Sequence, residues 1–214
     1  MTTLIVVRHG QSESNLKKVF TGQGNTELTE LGRAQAEATA KYLDAYRIDR
    51  IYASDLSRAM HTAEPTAKRQ GLSVIPDPQL REIYAGRWEE QPYVELMQRF
   101  SESYDKWIHD IGHAHPDGGE STMELAARVY AEVDRLVAEN QGRCIALFTH
   151  ATPVRMLACR WMGIAPEHAA EVPFCTNASV SVVEYADDGS HRLVHYGYNA
   201  HQGSLISDFP KGIV

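Results

Sequence analysis

Cysteine is scarce in this chain. Cys144, Cys159 and Cys175 are odd in number and far apart. That spacing suits neither a disulfide frame nor a zinc site, and it fits a reducing compartment. No apolar run reaches the roughly 20 residues of a membrane-spanning helix. The first residues, MTTLIVVRHG, lack the basic region and long apolar stretch of a secretory signal, so a cytoplasmic location is expected. Positive charge is also short, with 21 Lys and Arg against 28 Asp and Glu and a net charge of −7. An acidic balance of this kind argues against nucleic acid or an anionic membrane as the main partner. Internal repeats, low-complexity tracts and obvious linkers are missing as well. The 214 residues are enough for one sizeable core.

What is present is organised around LIVVRHGQSESN (Leu4 to Asn15). A run of β-branched and apolar residues turns abruptly polar at Arg8, His9 and Gly10. This is the pattern of a buried parallel strand whose C-terminal end opens into a site. Thr29 is a candidate cap for a helix from about Glu30 to Tyr46, and Ile48 to Ala53 reads as a second strand. Ser54 and Asp55 offer caps for a helix through SDLSRAMHTA, and Pro65 predicts a kink or break near Glu64. LSVIPD is a short third strand. From Tyr84 to about Ser121 aromatics and charges mix, which predicts a helical insertion with a small core of its own. Thr122 to Glu139 has helical spacing of Leu125, Val129, Val133 and Leu136. CIALFT is a buried strand, and Pro153 suits the first turn of a helix to about Met162. SVSVVEY and HRLVHYG flank Asp187-Asp188-Gly189 as a hairpin.

Alternating strands and helices predict an α/β fold. The expected architecture is three-layered, with a mostly parallel central sheet, helices on both faces and a small, mainly helical insertion at about 84–121 of a single 1–214 domain. Such sheets bind ligands at the C-terminal edge of their strands. Three strands deliver cationic or polar groups there: Arg8 and His9, then Ser54 leading to Arg58, then Thr149 and His150. Two arginines and two histidines at one edge make a phosphate-sized anion site. A neutral imidazole is a competent nucleophile toward phosphorus. The cations would stabilise the transferring phosphoryl group without a metal. Glu82, just after the third strand, is the candidate acid for the leaving alkoxide.

These pieces resemble the histidine phosphatase superfamily, in its phosphoglycerate-mutase-like branch. RHGQSESN resembles the family's RHG signature, and FTGQGNTELTELGRAQA the stretch that follows it. SDLSRAMHTA, LREIYAGRWEE, DGGES and FTHATPVR resemble the later motifs in order, and Asn199 with His201 resembles the closing piece. The resemblance covers nearly the whole chain. It implies that His9 forms a phosphohistidine and that Glu82 acts as acid and then base. It also implies that Arg8, Arg58 and His150 hold the phosphoryl oxygens with help from Asn15, and that no metal or other cofactor takes part. Thr21 and Gly22 match a substrate-loop position of the mutases. Many relatives have glycine where this chain has Ala151, so the loop after His150 is expected to differ.

The leading function is therefore a phosphomonoesterase acting on a small phosphorylated metabolite. A phosphoglycerate mutase is the alternative, although Tyr84 to Ser121 lacks a paired-arginine segment and Gln23 stands where mutases usually have tryptophan. A catalytically dead scaffold is the third reading. A homodimer is left open by the family. Glu89 and Glu90 are expected to be solvated. His109, His113 and His115 are tempting as metal ligands, but a loop would hold them too loosely.

Overall fold

The computed structural model describes residues 1–207. Its elements run β1 (Thr2–Arg8), α1 (Glu13–Lys17), β2 (Val19–Phe20), α2 (Glu30–Leu43), β3 (Arg50–Ala53), α3 (Ser57–Gln70) and β4 (Val74–Pro76). There follow β5 (Gln91–Pro92), α4 (Tyr93–Arg99), α5 (Ser101–His109), α6 (Thr122–Glu139), β6 (Cys144–Thr149), α7 (Ala151–Met162), β7 (Val180–Tyr185) and β8 (His191–Tyr198). The central sheet has the order β4-β3-β6-β1-β7-β8. The first four of these strands are parallel. The β7–β8 hairpin adds to β1 in antiparallel fashion.

Alternation along β1 sorts its side chains between two layers. Leu4 and Val6 face the core shared with α6 and α7, through residues such as Leu125, Val129 and Leu157. Ile5 and Val7 face the other core, with Leu43 of α2 and Ala63 and Ala67 of α3. All four β1 residues are fully buried, so the strand reads as one continuous apolar run.

Local sequence explains the helix starts. Thr29 caps α2 by accepting from the Gly32 N–H at 3.0 Å. Ser121 and Glu124 form a reciprocal capping box at α6. Two expectations fail. Pro65 does not break its helix: α3 runs unbroken to Gln70. The backbone bond lost at Pro65 is outweighed by burial of Ala59, Thr62, Ala63, Thr66 and Ala67 against the sheet and α2. The aromatics of the 84–121 segment do not form a satellite core. Trp88, Phe100, Tyr104 and Trp107 belong to the same contiguous core as Leu4 and Val6. Phe20 joins them, with edge-on contacts to Trp88 and Trp107 at 5.5 and 5.0 Å between ring centres.

Register brings the strand ends level. Arg8 lies opposite Thr149, and Ala53 opposite Phe148. The loops after β1, β3 and β6 therefore open on one edge of the sheet.

Candidate active site

A cleft opens at that edge. Its walls include Arg8, His9, Arg58 and Glu82, the loop residues Thr21 and Gly22, Asn15, Ala151 and Thr152, with Phe20, Tyr93, Trp107 and Phe174 as the aromatic part. Every predicted site residue except His150 lines it. His150 lies directly behind, fully buried, with its ring 5.2 Å from that of His9.

His9 is 4% exposed. Its Nδ1 lies 2.7 Å from the Gly10 carbonyl oxygen. A carbonyl can only accept, so Nδ1 carries the proton and Nε2 keeps its lone pair. Burial and the adjacent Arg58 and Arg8 guanidiniums hold the imidazole well below its usual range. The ring is neutral at physiological pH. Its backbone is fixed from three sides: the His9 N–H donates to Thr149 and the His9 carbonyl accepts from Ala178 N–H at 3.1 Å and from Asn177 Nδ2 at 3.1 Å. Gly10 donates to Thr62 Oγ1 at 3.0 Å.

Arg58 is 2% exposed, and its two terminal nitrogens donate to the carbonyls of Gly24 and Gly22, each at 2.8 Å. The guanidinium thus anchors the 21–24 loop as it lines the cleft. Gly22 has φ +52° and lies against Glu89, where a Cβ would meet Oε1 at 2.2 Å; only glycine fits. Glu89 is not solvated as expected. Its Oε1 accepts from the Gln23 and Ala85 N–H groups at 2.8 and 3.0 Å. Glu90 is exposed. Arg8 donates through Nη1 to the Cys175 carbonyl and sits 4.6 Å from the Phe174 ring centre. Burial lowers both Arg8 and Arg58 to about 10, which leaves them cationic.

Glu82 reaches the cleft from the segment after β4. One carboxylate oxygen accepts from the Ile83 N–H at 2.8 Å, the other from the Thr152 N–H in the first turn of α7 at 3.3 Å. Its backbone is held from outside by Arg128, which donates to the carbonyls of Gln79 and Arg81 and to that of Glu82 at 3.4 Å. Gln23 donates to the same Glu82 carbonyl at 3.1 Å. His150 shares a hydrogen at 2.8 Å between its Nε2 and Ser54 Oγ. Burial and nearby Arg58 keep it neutral.

Asn15 lines the cleft, but its side-chain oxygen is spent on the Ser12 N–H and on Asn177 Nδ2, both at 3.1 Å. Ala151 begins α7 without positive φ, so this loop needs no glycine. Asn199 and His201 lie away from the cleft: Asn199 donates to Thr176 Oγ1, and His201 pairs with Thr39 and stacks on Tyr42 of α2. His109, His113 and His115 each pair within their own segment, and no group of three metal-ligating side chains converges among the described residues. Sequence reading passed over Thr62, Asn177, Arg128 and Phe174. Their roles come from partners distant in the chain, and those are invisible before folding.

A buried neutral histidine facing a cleft walled by two arginines and a carboxylate is the architecture of one class of phosphoryl-handling proteins. The model of the histidine phosphatase superfamily (branch 1) matches residues 4–198, and the chain belongs to that family. It is 34% identical over 201 residues to the bifunctional protein Rv2228c of Mycobacterium tuberculosis, covering 91% of this chain and 54% of that protein. The chain thus spans about half the length of that relative. It is 27% identical over 213 residues to phosphoserine phosphatase 1 of Hydrogenobacter thermophilus, with both chains covered in full. The mycobacterial glucosyl-3-phosphoglycerate phosphatase Rv2419c superposes with a TM-score of 0.84 at 31% identity, over 92% of this chain and 99% of that one. Among the described residues no helix is long and apolar enough to cross a membrane.

Proposed function

We propose that the chain is a phosphomonoesterase that transfers the phosphoryl group of a small metabolite to His9 and then to water. The observation that carries this reading is the His9 Nδ1–Gly10 carbonyl bond. It fixes the tautomer that presents Nε2 to the cleft. In the first step the Nε2 lone pair attacks phosphorus as the ester P–O bond breaks. Arg8 and Arg58 hold the phosphoryl oxygens, with His150 behind His9 and Asn15 at the rim. Glu82 gives a proton to the leaving oxygen. In the second step Glu82 takes a proton from water, whose oxygen attacks the phosphohistidine and returns Nε2 to His9. Thr21, Gly22 and Ala151 contact the rest of the substrate. None of these steps calls on a metal.

Two of the relatives above carry phosphatase names, which supports the hydrolytic outcome. The insertion supports it too. It contributes Tyr93 and Trp107 to the cleft, whereas Arg87 and Arg99 pack on Phe100 away from it. A mutase, which returns phosphate to a second hydroxyl, is the other reading. The proposal takes the chain as a single cytoplasmic domain whose 84–121 segment forms one wall. It engages neither nucleic acid nor membrane, and self-association into a homodimer is left to measurement. Hydrolysis of an aryl phosphate by the wild type, with and without a chelator, and by His9→Ala is the test. Activity that survives in His9→Ala, or that disappears with chelator, overturns the mechanism. Interconversion of phosphoglycerates faster than phosphate release favours the mutase.

A further inference from the structure

Glu82 stands on residues 81–85, a stretch that belongs to neither helix nor strand. Backbone groups outside regular elements need partners of other kinds, and a loop by itself holds a side chain loosely. Most of the partners here come from one guanidinium. Arg128, on α6, turns its five N–H groups to five acceptors. Nη1 donates to the carbonyls of Gln79 at 2.6 Å and Arg81 at 3.2 Å. Nη2 donates to the Glu82 carbonyl at 3.4 Å and to Glu120 Oε2 at 2.8 Å, and Nε donates to Glu120 Oε1 at 2.9 Å. Glu120 in turn grips the far end of the same stretch. Its N–H donates to the Tyr84 carbonyl at 2.7 Å, and its Oε2 accepts from the Tyr84 N–H at 3.3 Å. The two side chains are only 18% and 16% exposed. Leu80 and Ile83, both fully buried, pin the stretch from the core side.

One peptide unit links this frame to the carboxyl group. The Glu82 carbonyl and the Ile83 N–H belong to the same peptide. Arg128 and Gln23 donate to its oxygen, and its N–H donates to the Glu82 side chain at 2.8 Å. A cation at the oxygen end polarises the unit and strengthens the N–H as a donor. That N–H faces the negative charge that Glu82 gains as its proton passes to the ester oxygen.

We propose that Arg128 and Glu120 are positioning residues for proton transfer: they fix the 79–84 backbone so that the Glu82 carboxyl group meets the leaving oxygen. This rests on the phosphatase reading above, in which Glu82 is the acid, and adds the device that holds it. Both residues lie outside the cleft wall and act through Glu82. Their loss therefore tracks the need for a proton. A benzyl alkoxide needs one to leave, a phenolate less so, and a nitrophenolate leaves without.

The test measures kcat/KM, which reports the first phosphoryl transfer, on 4-nitrophenyl, phenyl and benzyl phosphate. The enzymes are wild type, Arg128→Met, Arg128→Lys, Glu120→Gln, Glu82→Gln and the double variant of Arg128→Met with Glu82→Gln. Arg128→Met should lose about tenfold or more on the benzyl ester and less than about threefold on the nitrophenyl ester, out of the roughly 10²–10⁴-fold a general acid supplies. Glu120→Gln should show the same preference at smaller size. Arg128→Lys keeps the charge without the fork and should recover part of the loss. Added to Glu82→Gln, Arg128→Met should cost less than about another twofold. Equal losses on the three esters, an additive double variant, or no loss overturn the positioning role. A Glu82→Gln enzyme that loses all three equally, or a wild type that cleaves the nitrophenyl ester alone, overturns instead the acid reading beneath it. A wild type inactive on every ester overturns the phosphatase reading. Melting temperatures of each variant, with assays run well below them, keep misfolding from passing as a kinetic defect.

Discussion

The side-chain amide of Asn177 donates to the main-chain carbonyl of His9 at 3.1 Å and, through the same nitrogen, to the Asn15 side-chain oxygen at 3.1 Å. Asn177 is fully buried and never touches the open cleft. It holds the peptide that carries His9.

Asn177→Ala should leave the His9 carbonyl and the Asn15 amide each short of one donor. A loss of about 1–3 kcal/mol in unfolding free energy is expected for such buried, unpaired groups. kcat should fall while KM for an aryl phosphate changes little, because Arg8 and Arg58 are untouched. Denaturant unfolding and steady-state kinetics check the two parts separately.

The pH profile follows from the environment of His9. Burial and two neighbouring arginines lower its pKa well below the usual 6.5, so the neutral form persists as the solution is acidified. The acidic limb of kcat/KM that belongs to His9 should therefore fall at a pH below that of an ordinary imidazole. Arg58→Gln removes one of the two cations, so that limb should move to higher pH as overall activity drops. A limb that stays in place would contradict the electrostatic cause.

Gly10 tests the close packing behind His9. A Cβ there would meet the Gly32 carbonyl oxygen at 2.5 Å, backbone against backbone. Gly10→Ala should destabilise the fold by about 1–3 kcal/mol through overpacking, displace the His9–Gly10 peptide and lose at least tenfold in kcat. The melting temperature and single-turnover rate measure both.

Away from the cleft, Asp77 and Glu132 share a buried site beside Arg135. Burial and the Glu132 carboxylate push Asp77 up to about 6. An acid with a raised folded-state pKa holds its proton more tightly folded than unfolded. Its contribution is unfavourable at neutral pH and improves as pH falls from about 6 toward about 4. Asp77→Asn, which keeps the acceptor for the Gln79 N–H, should melt above wild type at pH 7.5. The difference should shrink toward pH 4.5.

Much of this site was readable in the chain because its parts sit where chemistry and secondary structure coincide. Arg8 and His9, Arg58 and His150 follow apolar strands, and a parallel sheet aligns such ends. Glu82 stood out as the acidic residue following a strand. The supporting residues carry no such mark. Asn177 and Thr62 are ordinary polar residues in a loop and a helix, and their roles depend on partners 168 and 52 positions away. Glu89 looked like one of two neighbouring surface acids. Its backbone partners exist only once Gly22 turns left-handed beside it. Pro65 misled because local backbone cost was weighed without the tertiary packing that offsets it.

The short ribbon of β2 and β5 pairs Val19 with Pro92 and Phe20 with Gln91. Phe20 also packs on Trp88, Tyr93 and Trp107. One side of this seam leads directly into the 21–24 loop held by Arg58, and the other opens the helical segment. The two cannot vary independently. A chimera that transplants residues 84–121 from a relative to change its preferred ester would have to carry residues 19–24 with it, or the foreign wall would arrive without its matching hinge.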